Sequence, residues 1–146
     1  MSNLTLLPDR LAVCRLPPGA AIPAWATASP FFSLTRTDAE LSVVCVQQLV
    51  PEPTQCEAGW RVFRVAGPLD FSLTGILAGI AAPLAAAGVS IFAISTFDTD
   101  YVLVKEENLT KAFDALRAAG HEVNSVLATW RCPRESFVPW GNRGGD

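Results

Sequence analysis

The stretch DFSLTGILAGIAAPLAAAGVSIFAISTFDTDYVLVK, residues 70–105, decides the fold. Gly75 to Ala87 is alanine-rich, and Ile76, Ile80, Leu84 and Ala87 recur at nearly 3.6 residues, which predicts a helix with one apolar face. Gly88 supplies the left-handed residue that closes such a helix. The β-branched Val89 and Ile91 then predict a strand over Val89–Thr96. That strand is apolar on both faces, so it is expected inside a sheet with helix over at least one side. Phe97 to Asp100 turns it back into Tyr101–Lys105, a hairpin whose turn carries Asp98 and Asp100. Pro83 interrupts the helix by removing the hydrogen bond to the carbonyl of Gly79, a packing feature more than a functional one.

Working outward, Trp60–Val65 alternates enough to be the strand before this helix. A second helix begins near Glu107 or Asn108, buries Leu109, Ala112, Phe113 and Leu116, and ends at Gly120 before a strand around Val123–Ala128. Its other side carries Glu107, Lys111, Asp114 and Arg117, read as a solvated charged face. Strand, helix, strand, strand, helix, strand is the split βαβ, or ferredoxin-like, plan.

The N-terminal half becomes intelligible when slid by sixty positions over the C-terminal half. FFSLTRTDAELSVV, residues 31–44, then lies without gaps on IFAISTFDTDYVLV, residues 91–104, with Asp38 on Asp98 and Glu40 on Asp100. Leu11–Leu16 reads as the strand and Ile22–Ala28 as the short helix ahead of this first hairpin. The Pro- and Glu-rich Val50–Ala58 leaves the second helix of the copy shortened or missing. The expected organisation is an α+β chain of two tandem ferredoxin-like units, antiparallel sheets with helices on one face. Residues 1–58 form the abbreviated unit, 59–130 the full one, and 131–146 a tail with Phe137 and Trp140 as anchors.

Half of the 146 residues are hydrophobic and the net charge is −3, which suits a packed core and disfavours nucleic acid as a partner. The chain opens without a secretory signal, and the apolar run from Gly75 to Ile94 is broken by Pro83 and Gly88, so a cytoplasmic protein without a membrane span is expected. Cys14, Cys45, Cys56 and Cys132 are too scattered for a metal or redox motif; the first two read as core thiols, the last two as exposed in loops. Trp25, Trp60, Trp130 and Trp140 lack interleaved basic residues and read as core or interface.

Asp70, Gly75-Ile76-Leu77, Ile80, Leu84 and Gly88-Val89-Ser90-Ile91 together resemble the signature of ACT domains, small amino-acid-binding regulatory modules. The Asp-x-Pro-Gly spacing of that family is absent, since four residues separate Asp70 from Gly75. Gly75 to Ala78, Ser95-Thr96-Phe97 and Asp100 are closer to the subgroup that includes the animal cytosolic arginine sensors and small stand-alone bacterial proteins. The resemblance covers about Gly59 to Val126.

A free amino acid needs donors for its carboxylate and acceptors for its ammonium. The first N–H groups of the helix opening at Gly75, including those of Ile76 and Leu77, suit the carboxylate. Glycine there equally relieves crowding at a loop-to-helix junction. Thr74 or Ser72 is the expected helix N-cap. Asp70 and Asp100 are candidate acceptors for an ammonium or guanidinium, although turn chemistry alone also favours aspartate at such positions. The resemblance implies that Asp100 contacts a basic side chain, that Thr96 and Phe97 line the same pocket, and that Asp70 lies in the first ligand loop. The expected ligand set is Asp70, Thr74, Gly75, Ile76, Thr96, Phe97 and Asp100, with no cofactor, metal or catalytic residue.

The function expected is a non-catalytic amino-acid sensor, its ligand held between the Asp70–Gly75 loop and the Thr96–Asp100 turn where ACT units meet. It would be a homodimer regulating an unidentified protein. The alternatives are a dimerisation or protein-interaction module with a vestigial pocket, and an acid/base enzyme using Asp98 and Asp100. His121, the single histidine, follows Gly120 and is expected at the helix C-terminus.

Overall fold

The computed structural model describes residues 2–66 and 75–125. Asp70, Ser72, Thr74, Cys132, Trp130 and the tail 131–146 lie outside the described residues. In chain order the elements are β1 (Asn3–Leu6), β2 (Leu11–Leu16), α1 (Ala24–Thr27), β3 (Ser33–Arg36), β4 (Leu41–Val46), a 3₁₀ turn (Gln47–Leu49), β5 (Cys56–Val65), α2 (Ile76–Ala86), β6 (Ile91–Ser95), β7 (Asp100–Lys105), a second 3₁₀ turn (Glu106–Asn108), α3 (Leu109–Ala118) and β8 (Glu122–Ser125). Two compact units result. One is Asp9–Val62; the other gathers the described residues before Asp9 and from Phe63 onward.

In the unit Asp9–Val62 the strand order is β3-β4-β2-β5. β2 and β4 pair antiparallel over their whole length, from Leu11↔Val46 to Leu16↔Leu41. Alternation along both strands sends Ala12, Cys14, Leu41, Val43 and Cys45 into a small core closed by Ala26 of α1, with Trp25 packed against it. The second helix is reduced to the 3₁₀ turn Gln47–Leu49, as the proline content of the following segment implies, because Pro51 and Pro53 bring no backbone N–H to a helix.

The other unit has the strand order β6-β7-β5-β1-β8. The expected βαββαβ plan is present as β5-α2-β6-β7-α3-β8, with one addition. β1 runs antiparallel to β5, with Leu4 opposite Val65 and Leu6 opposite Phe63, and parallel to β8 on its other side. The N-terminal strand therefore stands in this unit and not in the abbreviated one. The physical reason is its alternation: Leu4 and Leu6 are fully buried beside Phe63, Val65 and Val104, under Ile80 and Leu84 of α2 and Leu109, Phe113 and Leu116 of α3.

Both long helices end as expected on left-handed glycines, Gly88 at φ +76° and Gly120 at φ +93°. Each carries the paired bonds of a Schellman cap: Val89 N–H to the Leu84 carbonyl with Gly88 to Ala85, and His121 to Leu116 with Gly120 to Arg117. One expectation is corrected. β6 is an edge strand, paired among the described residues with β7 alone, because apolar residues on both faces do not distinguish an edge from an interior position. Arg117 is exposed, as expected of a solvated face, and its guanidinium also lies 5.0 Å from the Phe113 ring centroid and donates to the Val123 carbonyl at 2.7 Å.

Candidate functional site

The turn between β6 and β7 is held by its own threonines. Thr96 N–H donates to the Thr99 carbonyl at 2.8 Å, the Thr96 hydroxyl donates to the same oxygen at 3.0 Å, and Thr99 N–H donates back to Thr96 Oγ1 at 3.3 Å. Thr99 is buried, and its hydroxyl donates to the Val65 carbonyl at 2.6 Å. Val65 ends β5. This bond sets the turn against the C-terminal end of that strand. Asp100 is half-buried and stands opposite Ser95 in the hairpin register, where it accepts the Ser95 hydroxyl at 2.7 Å. Thr96, Phe97 and Asp100 are thus brought together in one turn, with Phe97 81% exposed at its tip.

At the other loop, Gly75 is itself the N-cap of α2, with φ +80° and no side-chain cap. This corrects the expectation of Thr74 or Ser72 in that role. A Cβ on Gly75 would meet nothing within 4 Å, so glycine is required there by its backbone angle and not by crowding. The Gly75 carbonyl accepts the Gly79 N–H at 2.8 Å, while Ile76 packs on the core. Among the described residues no side chain caps the first N–H groups of α2, and such groups are donors suited to an anion. Ser95 and Thr99 are absent from the expected set. Their signal was the hairpin register, which places Ser95 directly across from Asp100.

The abbreviated unit repeats this turn but not its chemistry. Thr37 N–H donates to the Glu40 carbonyl at 2.8 Å and Thr37 Oγ1 accepts from Glu40 N–H at 3.2 Å, the bonding of Thr96 and Thr99 over again. The closing pairs are Arg36↔Leu41 and Ser95↔Asp100, so counterparts lie 59 positions apart and not sixty. Glu40 therefore answers to Thr99, and Leu41 stands where Asp100 stands. Arg36 takes the place of Ser95, and its guanidinium donates to the carbonyls of Pro18 and Ala20, the latter at 2.7 Å, in the loop between β2 and α1. The loop and turn of this unit are tied to each other by an internal arginine.

Elsewhere, His121 meets the C-terminus of α3 through its backbone N–H, while its ring makes two further, part-buried bonds. Its Nδ1 accepts Ser2 N–H at 3.1 Å, and its Nε2 lies 2.8 Å from the Gly79 carbonyl. Cys14 and Cys45 are buried as expected; Cys56 is exposed, but on β5 and not in a loop. No helix among the described residues is long and apolar enough to cross a membrane.

Residues 55–118 match the ACT domain family model, and residues 9–53 match a separate N-terminal-domain model. The chain is 36% identical over 99 residues to the cytosolic arginine sensor for mTORC1 subunit 1 of Rattus norvegicus, covering 62% of this chain and 30% of that protein. It is 46% identical over 59 residues to the human protein of the same name, covering 40% of this chain and 18% of that one. The chain thus spans less than a third of these relatives. A crystal structure of an Agobacterium tumefaciens protein superposes with TM-score 0.83 at 38% identity, covering 89% of this chain and 97% of that one. The ligand-free regulatory subunit of aspartate kinase from Thermus thermophilus shares the fold, with TM-score 0.56 at 13% identity over 77% of this chain and 93% of that one. With the ferredoxin-like unit, the glycine-opened helix and the threonine-held turn in place, residues 55–118 of the chain belong to the ACT domain family.

Proposed function

We propose that this chain is a non-catalytic regulatory protein that binds a free basic amino acid at the second unit, between the loop ending at Gly75 and the turn Thr96–Asp100. The observation that carries the reading is the 2.6 Å bond from Thr99 to the Val65 carbonyl, which holds the turn at the C-terminal end of β5. The α-carboxylate would meet the first N–H groups of α2, and Asp100 would accept the ammonium or guanidinium at the ligand's far end. The printed name of the arginine-sensing relatives supports the same ligand class. Asp70 and Thr74 complete the proposed set from the first loop.

The first unit is not proposed to bind, because it lacks a carboxylate at the Asp100 position and its loop carbonyls already hold Arg36. The edge position of β6, which among the described residues pairs with β7 alone, supports self-association as a homodimer. Regulation would act through a partner protein in the cytosol. A thermal-shift screen against the common amino acids, followed by calorimetry, tests the proposal. A shift selective for arginine or lysine is expected, and about 2.7 kcal/mol of stabilisation accompanies a ligand at a hundred times its Kd. No shift with any amino acid would leave an interaction module with an idle pocket.

A further inference from the structure

The fold brings together two thiols that are far apart in sequence. Cys14 on β2 and Cys56 on β5 are direct cross-strand partners. The adjoining pair is joined by the Arg15 N–H donating to the Gln55 carbonyl at 3.0 Å, so Cys14 and Cys56 occupy the neighbouring position without backbone bonds between them. At such positions the Cα atoms lie about 4.5 Å apart and the side chains project to the same face, closer than at bonded pairs. That spacing falls within the roughly 4.4–6.8 Å that a disulfide spans. The third thiol of this unit is differently engaged: Cys45 faces Ala12 in the register and donates to the Val46 carbonyl.

Access is asymmetric. Cys14 is 1% exposed. Cys56 is exposed and lines an open groove of about 600 Å³ with Gln47, Val50 and Pro53, beside the short turn that replaces the missing second helix. A small oxidant therefore reaches Cys56 first, with Cys14 waiting beneath it.

We propose that Cys14 and Cys56 are a reversible oxidation site that closes to an intramolecular disulfide in the presence of hydrogen peroxide. The Cys56 sulfur attacks the peroxide O–O bond, becoming a sulfenic acid as the other oxygen leaves as water. Cys14 sulfur then displaces the sulfenic hydroxyl, its own proton leaving with that hydroxyl as a second water. Two thiols lose two electrons and one peroxide gains them. Two thiols of a reductant reverse the reaction. The bond would lock β2 to β5 along one edge of the groove.

The test is titration of the full chain with hydrogen peroxide, alkylation of remaining thiols, tryptic digestion and mass spectrometry without reductant. Cys45 and Cys56 share the peptide 37–61, so the Cys45→Ala chain is used alongside backbone fragmentation of the wild-type peptide. The expected product links peptide 11–15 to peptide 37–61 through Cys14 and Cys56, disappears with dithiothreitol, and is absent from the Cys56→Ser chain, whose substitution is at an exposed position. The proposal is overturned if Cys56 proceeds to sulfinic acid while Cys14 is recovered alkylated. Links to Cys132 or between chains, or no reaction at either thiol, overturn it equally.

Discussion

The Nε2 of His121 lies 2.8 Å from the carbonyl oxygen of Gly79, the carbonyl in α2 that Pro83 leaves without its helical donor. Because Nδ1 accepts the Ser2 N–H, the imidazole carries its proton on Nε2 and donates it to Gly79. One histidine thus ties Ser2, a defect in α2 and the end of α3 together. His121→Ala should cost about 1 kcal/mol, since it removes the bond to the Gly79 carbonyl. Pro83→Ala restores the helical N–H, so the same histidine substitution should cost clearly less in that background. Urea unfolding of the four proteins of the cycle measures this; equal costs in both backgrounds would show that the Gly79 carbonyl is not what His121 serves.

Two glycines of the same helix should respond oppositely. Gly75 sits at φ +80° with open space where a Cβ would go, so Gly75→Ala should lose about 1 kcal/mol to backbone strain alone. Gly79 lies inside α2 with equally open space and no positive φ, so Gly79→Ala should gain about 0.5–1 kcal/mol. Thermal unfolding of both variants checks the signs, and a stabilised Gly75→Ala would refute the left-handed cap.

Asp100 and Thr99 separate binding from architecture in the proposed site. Asp100→Asn keeps an acceptor for Ser95 but loses the charge, and it should weaken a basic amino acid by tenfold or more, with little change in stability. Thr99→Val removes the bond to Val65 and should lower stability by about 1 kcal/mol, whereas Thr99→Ser should retain it. Calorimetry with the amino acid found by screening, paired with unfolding curves, reads both effects. Unchanged affinity in Asp100→Asn would remove Asp100 from the site.

Burial, and next the neighbouring Cys45 and Cys56, push the Cys14 thiol from 9.0 up to about 12. In the unfolded chain this thiol ionises near its ordinary value, so its contribution to stability is fully present below about pH 9 and is lost as pH rises towards 12. Unfolding free energy should fall over that alkaline window. Cys14→Ala should flatten the slope there, and an unaltered slope would show that Cys14 is not its source.

Much of this was legible in the chain alone. The period of Ile76, Ile80 and Leu84, and of Leu109, Ala112, Phe113 and Leu116, located both long helices because their burial needs one apolar stripe. Gly88 and Gly120 marked their ends, since a left-handed cap asks for glycine whatever the surroundings. The threonine-held turn was also in view as a hairpin with ligand-capable residues. Local sequence misjudged β6 and the N-terminal strand, whose four residues carry too little period to be noticed before their partners are known.

The sequence by itself determined the two-unit ferredoxin-like plan, the truncated second helix of the first unit and the hairpin carrying Asp100. These depend on spacing, breakers and caps, which act over a few residues. Only the tertiary structure decided the 59-residue register of the repeat, the insertion of β1 between β5 and β8, the union of His121 with Gly79, and the meeting of Cys14 with Cys56. Each joins residues distant along the chain, and strand pairing and buried hydrogen bonds are selected by which partners the finished core brings within reach.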